Sequence, residues 1–233
     1  MDYKIAQESF LQELKNRREQ GMAKFLAENA INKEIDTKIF KYFGDDQRFL
    51  LEASKLHPNA LEGATEKLRD NSIFMKQAIA INPNNLKYGS DEIKNNQEVV
   101  LSAIHKDGSA LQHASKNLKN NEYIVYEAVS NNTNAFEFAN DRFKESPDFV
   151  KKVCKIDGEC LAYASKYLQD NQDIVLVACQ STKSSIDFAS ERIKIMVGEK
   201  DPVRVIESTI MAEGLQSQLA QKHEFKQSTK IKI

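Results

Sequence analysis

The stretch from Asn96 to Asn120 reads NQEVVLSAIHKDGSALQHASKNLKN, and its pattern recurs every 25 residues along the chain. Six copies follow one another without insertion or deletion between residues 46 and 195. Counted from position 1, they begin at Asp46, Asn71, Asn96, Asn121, Ser146 and Asn171. A fixed period of about 20–50 residues is typical of stacked structural repeats, which usually offer extended binding surfaces. The sequence therefore predicts a repeat protein.

Apolar and small side chains within each copy follow the spacing of α-helices. They fall at positions 4, 5, 8 and 9, and again at positions 16, 19, 20 and 23. Each set has the i, i+3, i+4 spacing that places its members on one helical face. The alternation with a period of two that a strand would need is absent. Each copy is predicted to hold two helices, over about positions 2–10 and 15–24.

Polar residues mark where these helices are expected to begin. Position 1 is Asp, Asn or Ser in all six copies, and these side chains accept hydrogen bonds from the first turn of a helix. Position 14 offers a capping residue in five of the six copies and is predicted to cap the second helix. Asp107-Gly108 and Asp157-Gly158 precede it as turn dipeptides. Such short helices are marginal alone, so stacking is expected to stabilise them.

The segments outside the copies are predicted to cover the two ends, because a solenoid exposes an apolar face at each end. At the N-terminus, one amphipathic helix is predicted over Tyr3–Gln20 and a second from Met22, followed by a degenerate copy containing Phe40 and Phe43. The predicted divisions are N-terminal capping helices in 1–45, six two-helix repeats in 46–195, a C-terminal capping helix in 196–220 and a disordered basic tail in 221–233. The expected fold is an all-α solenoid, right- or left-handed, with capping helices at both ends.

Composition argues against several classes of protein. The 33 basic and 34 acidic residues leave a net charge of −1, without the basic bias of a dedicated nucleic-acid binder. No apolar run approaches the roughly 18 residues of a membrane span, and the N-terminus lacks the apolar core of a signal peptide. Cys154, Cys160 and Cys179 fall on apolar positions and are predicted to be buried as small hydrophobes. We expect a soluble protein of a reducing compartment.

Local signatures of catalysis or metal binding are absent from the sequence. The histidines at 57, 105, 113 and 223 all stand more than five residues apart, and no H-x-x-x-H, C-x-x-C or glycine-rich phosphate loop occurs. No catalytic residue, metal ligand or cofactor is therefore predicted. An enzyme whose site is assembled across the repeats stays an alternative.

Aromatic residues at position 18 form the most informative surface candidate. They flank the apolar stripe of the second helix, one turn before position 22, and stacking would align them into a ladder edged by arginines. Aromatic and arginine side chains are the usual anchors of protein–protein interfaces. The predicted binding residues are Tyr88, His113, Phe138, Arg142, Tyr163, Tyr167, Phe188 and Arg192. The competing interpretation is that position 18 only widens the buried face of the helix.

Position 24 forms a second, basic row. Its members are Arg69, Lys94, Lys119, Lys144 and Lys194, interrupted by Gln169. Basic side chains near a helix C-terminus complement the helix dipole, which explains the row without any ligand. An acidic partner, a phosphate backbone or anionic lipid headgroups are the functional alternatives.

The motif D/N-x-x-[FVI]-[VLM]-x-x-A, followed by A-L-x-x-A-S-x-x-L-x-[DN]-N, resembles the repeat of the domain-of-unknown-function family numbered 4116. The best matches contain the segments 110–118 and 160–168, and the resemblance covers residues 46 to about 195. It implies an all-helical repeat domain, frequent in proteins that Legionella-like intracellular bacteria inject into host cells. It implies no reaction and no catalytic residues.

A noncatalytic module that binds a protein partner is the favoured function. The resemblance implies a secreted bacterial effector that docks on a host protein, present in the bacterial cytoplasm and translocated into the host cell. The alternatives are an enzyme-type effector and a binder of nucleic acid or anionic lipid along the position-24 row. The oligomeric state and the identity of the partner do not follow from the sequence.

Overall fold

The computed structural model describes residues 3–19 and 38–230, and every regular element in these two ranges is helical. The prediction of an all-helical protein with tandem repeats is therefore confirmed. The chain divides into two compact units, Met1–Phe138 and Ala139–Ile233. The predicted helix from Met22 lies outside the described residues.

The first unit opens with the helix Tyr3–Glu19, which confirms the predicted N-terminal helix, and residues 38–42 are also helical. Its repeat region then alternates long and short α-helices with 3-10 helices. The α-helices span Gln47–Leu56, Glu66–Arg69, Ser72–Ile81, Asp91–Asn95, Gln97–Ile104, Lys116–Lys119 and Glu122–Asn131. The 3-10 helices span Ala60–Gly63, Pro83–Tyr88, Gly108–His113 and Thr133–Phe138.

An aromatic cluster joins the N-terminal helix to the first copy of the repeat. The ring of Phe10 lies 5.6 Å from that of Phe40 and 6.2 Å from that of Phe49, measured between centroids. The ring of Phe43 lies 4.7 Å from Phe49. All four rings are buried, so this cluster removes the Phe10 side chain of the N-terminal helix from water.

The second unit has the same alternation of elements. Its α-helices span Asp141–Lys144, Pro147–Cys154, Lys166–Gln169, Gln172–Ser181, Glu191–Val197 and Pro202–Lys230, and its 3-10 helices span Gly158–Tyr163 and Lys183–Phe188. The last helix continues past residue 220, where the sequence predicted it to end, and includes most of the segment predicted to be disordered. Ile206 on this helix is fully buried.

The predicted second helix of each copy is wrong as a single helix. The structure has a 3-10 helix over about positions 13–18 and a short α-helix that begins at position 21, with two extended residues between them. In the third copy these are Ala114, with φ −68° and ψ 158°, and Ser115, with φ −61° and ψ 159°. The helical hydrogen-bond pattern is therefore interrupted after position 19, since the N–H of Ala114 still donates to the carbonyl of Leu111.

A hydrogen bond to the preceding copy explains this interruption. The backbone N–H of Ser115 donates to the carbonyl of Lys94, at 2.9 Å, instead of to a carbonyl in its own helix. The Ser115 hydroxyl accepts from the N–H of Leu118, at 3.2 Å, and donates to Oδ1 of Asn95, at 2.7 Å. The same backbone bond joins Thr65 to Gly44, Ser90 to Arg69, Ser165 to Lys144 and Ser190 to Gln169. Consecutive copies are thus hydrogen-bonded at the point where the helix breaks.

Capping residues account for the helix starts. The prediction for position 1 is confirmed in all six copies, since each of these side chains accepts from an N–H of the first turn. The prediction for position 14 is wrong, because the residue that caps the 3-10 helix stands at position 12. Oδ1 of Asp107 accepts from the N–H of Ser109 at 2.9 Å, and Oδ1 of Asp157 accepts from that of Glu159 at 3.0 Å.

The buried side chains of the long helices keep the same positions, 4, 5, 8 and 9, in every copy. Position 5 and position 8 are fully buried throughout, and position 8 is Ala in five copies and Val153 in the other. Small residues at position 8 let neighbouring helices approach closely. Within the described residues, no helix is long and apolar enough to cross a membrane.

Candidate binding surface

The position-18 side chains of the first unit are partly buried rather than free. The Tyr88 hydroxyl donates to Oδ1 of Asn59, at 3.1 Å, and lies 3.4 Å from the carbonyl of Pro58. Nζ of Lys87 stands 4.6 Å from the centre of the Tyr88 ring, within the range of a cation–π contact. Phe138 is also half-buried. Tyr88 therefore holds the preceding copy in place as well as presenting one edge to solvent.

Gly63 occupies position 18 in the first copy because a side chain has no room there. A Cβ built on Gly63 would lie well within 3.0 Å of the backbone of Phe40 and Lys41, a separation that real Cβ atoms essentially never show. The gap in the aromatic row is thus a packing requirement at the start of the repeat region. It says nothing about which copies bind a partner.

His113 lies in a basic environment. Its side chain is half-buried, and burial is the largest cause that lowers its pKa below the ordinary 6.5. The positive charges of Lys87, Lys119 and Lys94 lower the pKa further. The imidazole of His113 is therefore neutral at neutral pH, with three ammonium groups near it.

The second unit contains the most exposed of the candidate aromatic side chains. Tyr167, at position 22, is 77% exposed and projects from the short helix Lys166–Gln169. Phe188 is 36% exposed, whereas Tyr163 is half-buried. Position 22 therefore presents more of its side chain to solvent than position 18 does.

The two candidate arginines have different surroundings. Arg192 is held by Asp170, since Nε donates to its Oδ1 at 2.9 Å and Nη2 to its carbonyl at 2.8 Å. The hydrogen bond from Ser190 is the largest cause that lowers the pKa of Asp170, and the hydrogen bond from Arg192 is the second. The guanidinium of Arg142 lies 4.4 Å from the centre of the Phe143 ring, and its side chain is exposed. Arg192 is thus committed to a structural ion pair, while Arg142 makes a cation–π contact with Phe143.

Position 24 has a structural role that the sequence did not reveal. Nζ of Lys119 donates to the carbonyl of Gln112, at 2.6 Å, and Arg69 donates in the same way to the carbonyl of Glu62. Nε2 of the buried Gln169 donates to the carbonyls of Leu161 and Ala162, at 3.0 and 3.1 Å. A long side chain with an N–H donor therefore satisfies carbonyls at the end of the preceding 3-10 helix, and charge is not required. The apparent interruption at Gln169 was the signal in the sequence that could have shown this.

The three cysteines are buried and free, as predicted. Burial raises the pKa of Cys154 to about 12 and that of Cys179 to about 11, and it also raises the pKa of Cys160. A nucleophilic thiol needs a lowered pKa and access to solvent, so these thiols are unsuited to covalent catalysis. Across residues 3–19 and 38–230, no group of three or more His, Cys, Asp or Glu side chains could hold a metal ion.

These observations define the class of protein as a helical tandem repeat with constant buried positions and varied exposed ones. The family model described as "Domain of unknown function (DUF4116)" matches residues 46–94, 96–144 and 146–194, together more than half of the chain. The chain belongs to this family. Each match spans two of the 25-residue copies, so the family's unit is a pair of copies. No curated protein and no solved structure matches the chain.

Proposed function

We propose that the protein is a noncatalytic helical-repeat module that binds a protein partner through the exposed side of its short helices. The partner in this proposal is a host protein, and the chain acts as a secreted bacterial effector, as the occurrence of the family suggested above. The aromatic and arginine side chains at positions 18 and 22 would provide the contacts, with Tyr167 as the principal anchor in the second unit.

Variation at position 22 is the observation that carries this proposal. Its side chain is exposed in every copy, and its members are Lys67, Glu92, Asn117, Arg142, Tyr167 and Arg192. The most constant of the buried positions is position 8, which is Ala in five copies and Val153 in the other, because packing constrains it. Exposed positions are free of that constraint, so a repeat can vary them to suit a ligand without loss of its fold. A tyrosine that is 77% exposed has little packing role and suits an interface anchor.

The experiment is affinity capture from a eukaryotic cell lysate with the intact chain and two variants, followed by mass spectrometry. Tyr167→Ala removes the proposed anchor. Tyr123→Ala is the matched control, since Tyr123 is an exposed tyrosine, 52% accessible, on the long helix Glu122–Asn131. Circular dichroism would check that both variants remain folded. Binding of the purified partner would then be measured by calorimetry.

We expect the wild type and Tyr123→Ala to retain the same protein and Tyr167→Ala to lose it. A hot-spot tyrosine costs about 2 kcal/mol or more when truncated, which corresponds to an affinity at least about thirtyfold weaker. Equal retention by Tyr167→Ala and the wild type would refute the proposed surface. Failure of the wild type to retain any eukaryotic protein would refute the proposed host partner.

A further inference from the structure

Lysines 87, 94 and 119 form a basic cluster around His113 in the first unit. Lys87 and His113 lie at positions 17 and 18 of consecutive 3-10 helices, and Lys94 and Lys119 lie at position 24 of consecutive short helices. Burial and then the positive charges of all three lysines lower the pKa of the His113 imidazole. The four side chains therefore share one face of the second and third copies.

Contacts within the unit hold two of the three lysines, Lys119 and Lys87. Nζ of Lys119 is held by the carbonyl of Gln112, at 2.6 Å, and the adjacent residue in the chain is His113. Nζ of Lys87 stands 4.6 Å from the centre of the Tyr88 ring, and the Tyr88 hydroxyl is in turn hydrogen-bonded to Asn59. The cluster is thus partly preorganised, which reduces the entropy lost when a ligand binds.

The lysines of the cluster form no ion pair within the described part of the chain, although Asp91 and Glu92 lie on the same short helix as Lys94. Other lysines there form ion pairs, such as Lys55 with Glu52 and Lys76 with Glu98, but none of the three lysines of the cluster does so. The whole chain has a net charge of only −1, so a local excess of positive charge is a property of this face rather than of the composition. A cluster of lysines without ion-pair partners attracts anions.

We propose that the lysine cluster and His113 bind a carboxylate-rich segment of the protein partner. The ammonium groups would pair with glutamate or aspartate side chains, and the neutral imidazole would donate its N–H to one of them. A nucleic acid would need a longer basic stripe than three lysines, since its affinity comes from many phosphate contacts. This inference rests on the proposed function and adds the chemistry of the partner segment.

Lysine-to-glutamine substitution is the cleanest way to test the cluster. Gln169 shows that glutamine at position 24 can satisfy the carbonyls of the preceding 3-10 helix, so Lys119→Gln removes charge with that donor retained. Lys94→Gln places the same residue at the same position of the second copy. The test variant combines these two changes with Lys87→Gln. The control variant combines Lys106→Gln, Lys155→Gln and Lys200→Gln, which alters three exposed lysines elsewhere and gives the same change in net charge.

The probe is a synthetic peptide of about ten glutamates, titrated into the intact chain and both variants at several salt concentrations. Each partly exposed ion pair contributes a few tenths of a kcal/mol up to about 1 kcal/mol, so the loss of three should weaken binding by about tenfold. We expect this loss in the test variant only, together with a smaller salt dependence. In the wild type, NMR should show that the bound peptide raises the pKa of His113, because a nearby anion stabilises the imidazolium.

Equal affinity of the test and control variants would overturn the inference, as would a His113 resonance that does not respond to the peptide. Much tighter binding of a single-stranded DNA of equal charge would overturn it in favour of a nucleic acid. The proposed function is tested separately with Tyr167→Ala, which leaves the lysine cluster unchanged. Peptide binding at His113 with unaltered capture by Tyr167→Ala would refute the proposed surface and support the anion-binding lysine cluster.

Discussion

The α-carbon of Gly158 lies against the backbone carbonyl of Ala178, which belongs to the next copy of the repeat. A Cβ built on Gly158 would fall well within 3.0 Å of that oxygen, where real Cβ atoms essentially never lie. Gly108 has the same relationship to Ala128. Neither glycine has a positive φ, which among the described residues occurs only at Gly198. These glycines allow a close approach between copies, and the turn conformation does not require them.

Gly158→Ala is expected to destabilise the protein. The added methyl group must displace the backbone of the helix Gln172–Ser181, and such overpacking costs about 1–3 kcal/mol. The measurement is the free energy of unfolding in urea. Gly214→Ala is the control, since nothing lies within 4 Å of its Cβ position and alanine favours a helix by about 0.5–1 kcal/mol over glycine. Equal stability of the two variants would contradict the role assigned to Gly158.

Gln169→Ala is expected to destabilise the protein more than Gln169→Lys does. Alanine leaves the carbonyls of Leu161 and Ala162 without the donors that they now have, which costs about 1–3 kcal/mol when such groups are buried. Lysine can still donate, as Lys119 does to Gln112. Chemical denaturation of both variants beside the wild type measures the difference. The interpretation fails if lysine and alanine are equally destabilising.

Ser115 and Asn95 are expected to be energetically coupled, because the Ser115 hydroxyl donates to Asn95 and caps the helix Lys116–Lys119. Loss of a helix cap costs about 0.5–2 kcal/mol, so Ser115→Ala should lower the free energy of unfolding by about 1 kcal/mol. A double-mutant cycle with Asn95→Ala measures the coupling. Strictly additive effects would show that the hydrogen bond between copies contributes nothing measurable.

The cysteines are expected to resist alkylation in the native state. The thiolate is the reactive form, and burial raises the pKa of Cys154 to about 12 and that of Cys179 to about 11. Iodoacetamide at pH 8 should therefore label the native protein far more slowly than the protein unfolded in urea, where all three thiols react. Mass spectrometry over time follows the labelling. Rapid labelling of one native cysteine would identify a reactive thiol and revive the enzyme hypothesis.

Stability is expected to fall as the pH drops through about 6.5. The pKa of His113 is lower in the folded state, chiefly through burial and then through Lys87, Lys119 and Lys94. The unfolded chain therefore binds this proton more readily, and the contribution of neutral His113 is present above the unfolded pKa and lost below it. Urea unfolding between pH 7.5 and 5 measures the slope. His113→Gln should flatten the slope, and an unchanged slope would contradict this assignment.

Tertiary contacts decided which of the predicted binding residues are exposed. Tyr88 and Tyr167 both have aromatic rings at positions near the same edge of the repeat, and the sequence treats them alike. Tyr88 is hydrogen-bonded to a residue 29 positions earlier, whereas Tyr167 is 77% exposed. The sequence could indicate which side of the repeat carries aromatic side chains. It could not separate the side chains that pack against a neighbouring copy from those open to a partner.

The sequence by itself determined the period, the helical class, the buried positions of the long helix in each copy and the start of every long helix. These features depend on side chains three or four residues apart and on caps that bond within one turn, so a short window contains their causes. The tertiary structure alone decided where the second helix breaks, why Gly158 is a glycine and what Gln169 does. Each of these depends on a backbone carbonyl outside that window, seven to twenty-one residues away along the chain. Only folding brings such groups together. A hydrogen bond between copies then replaces one that the local helix would otherwise make.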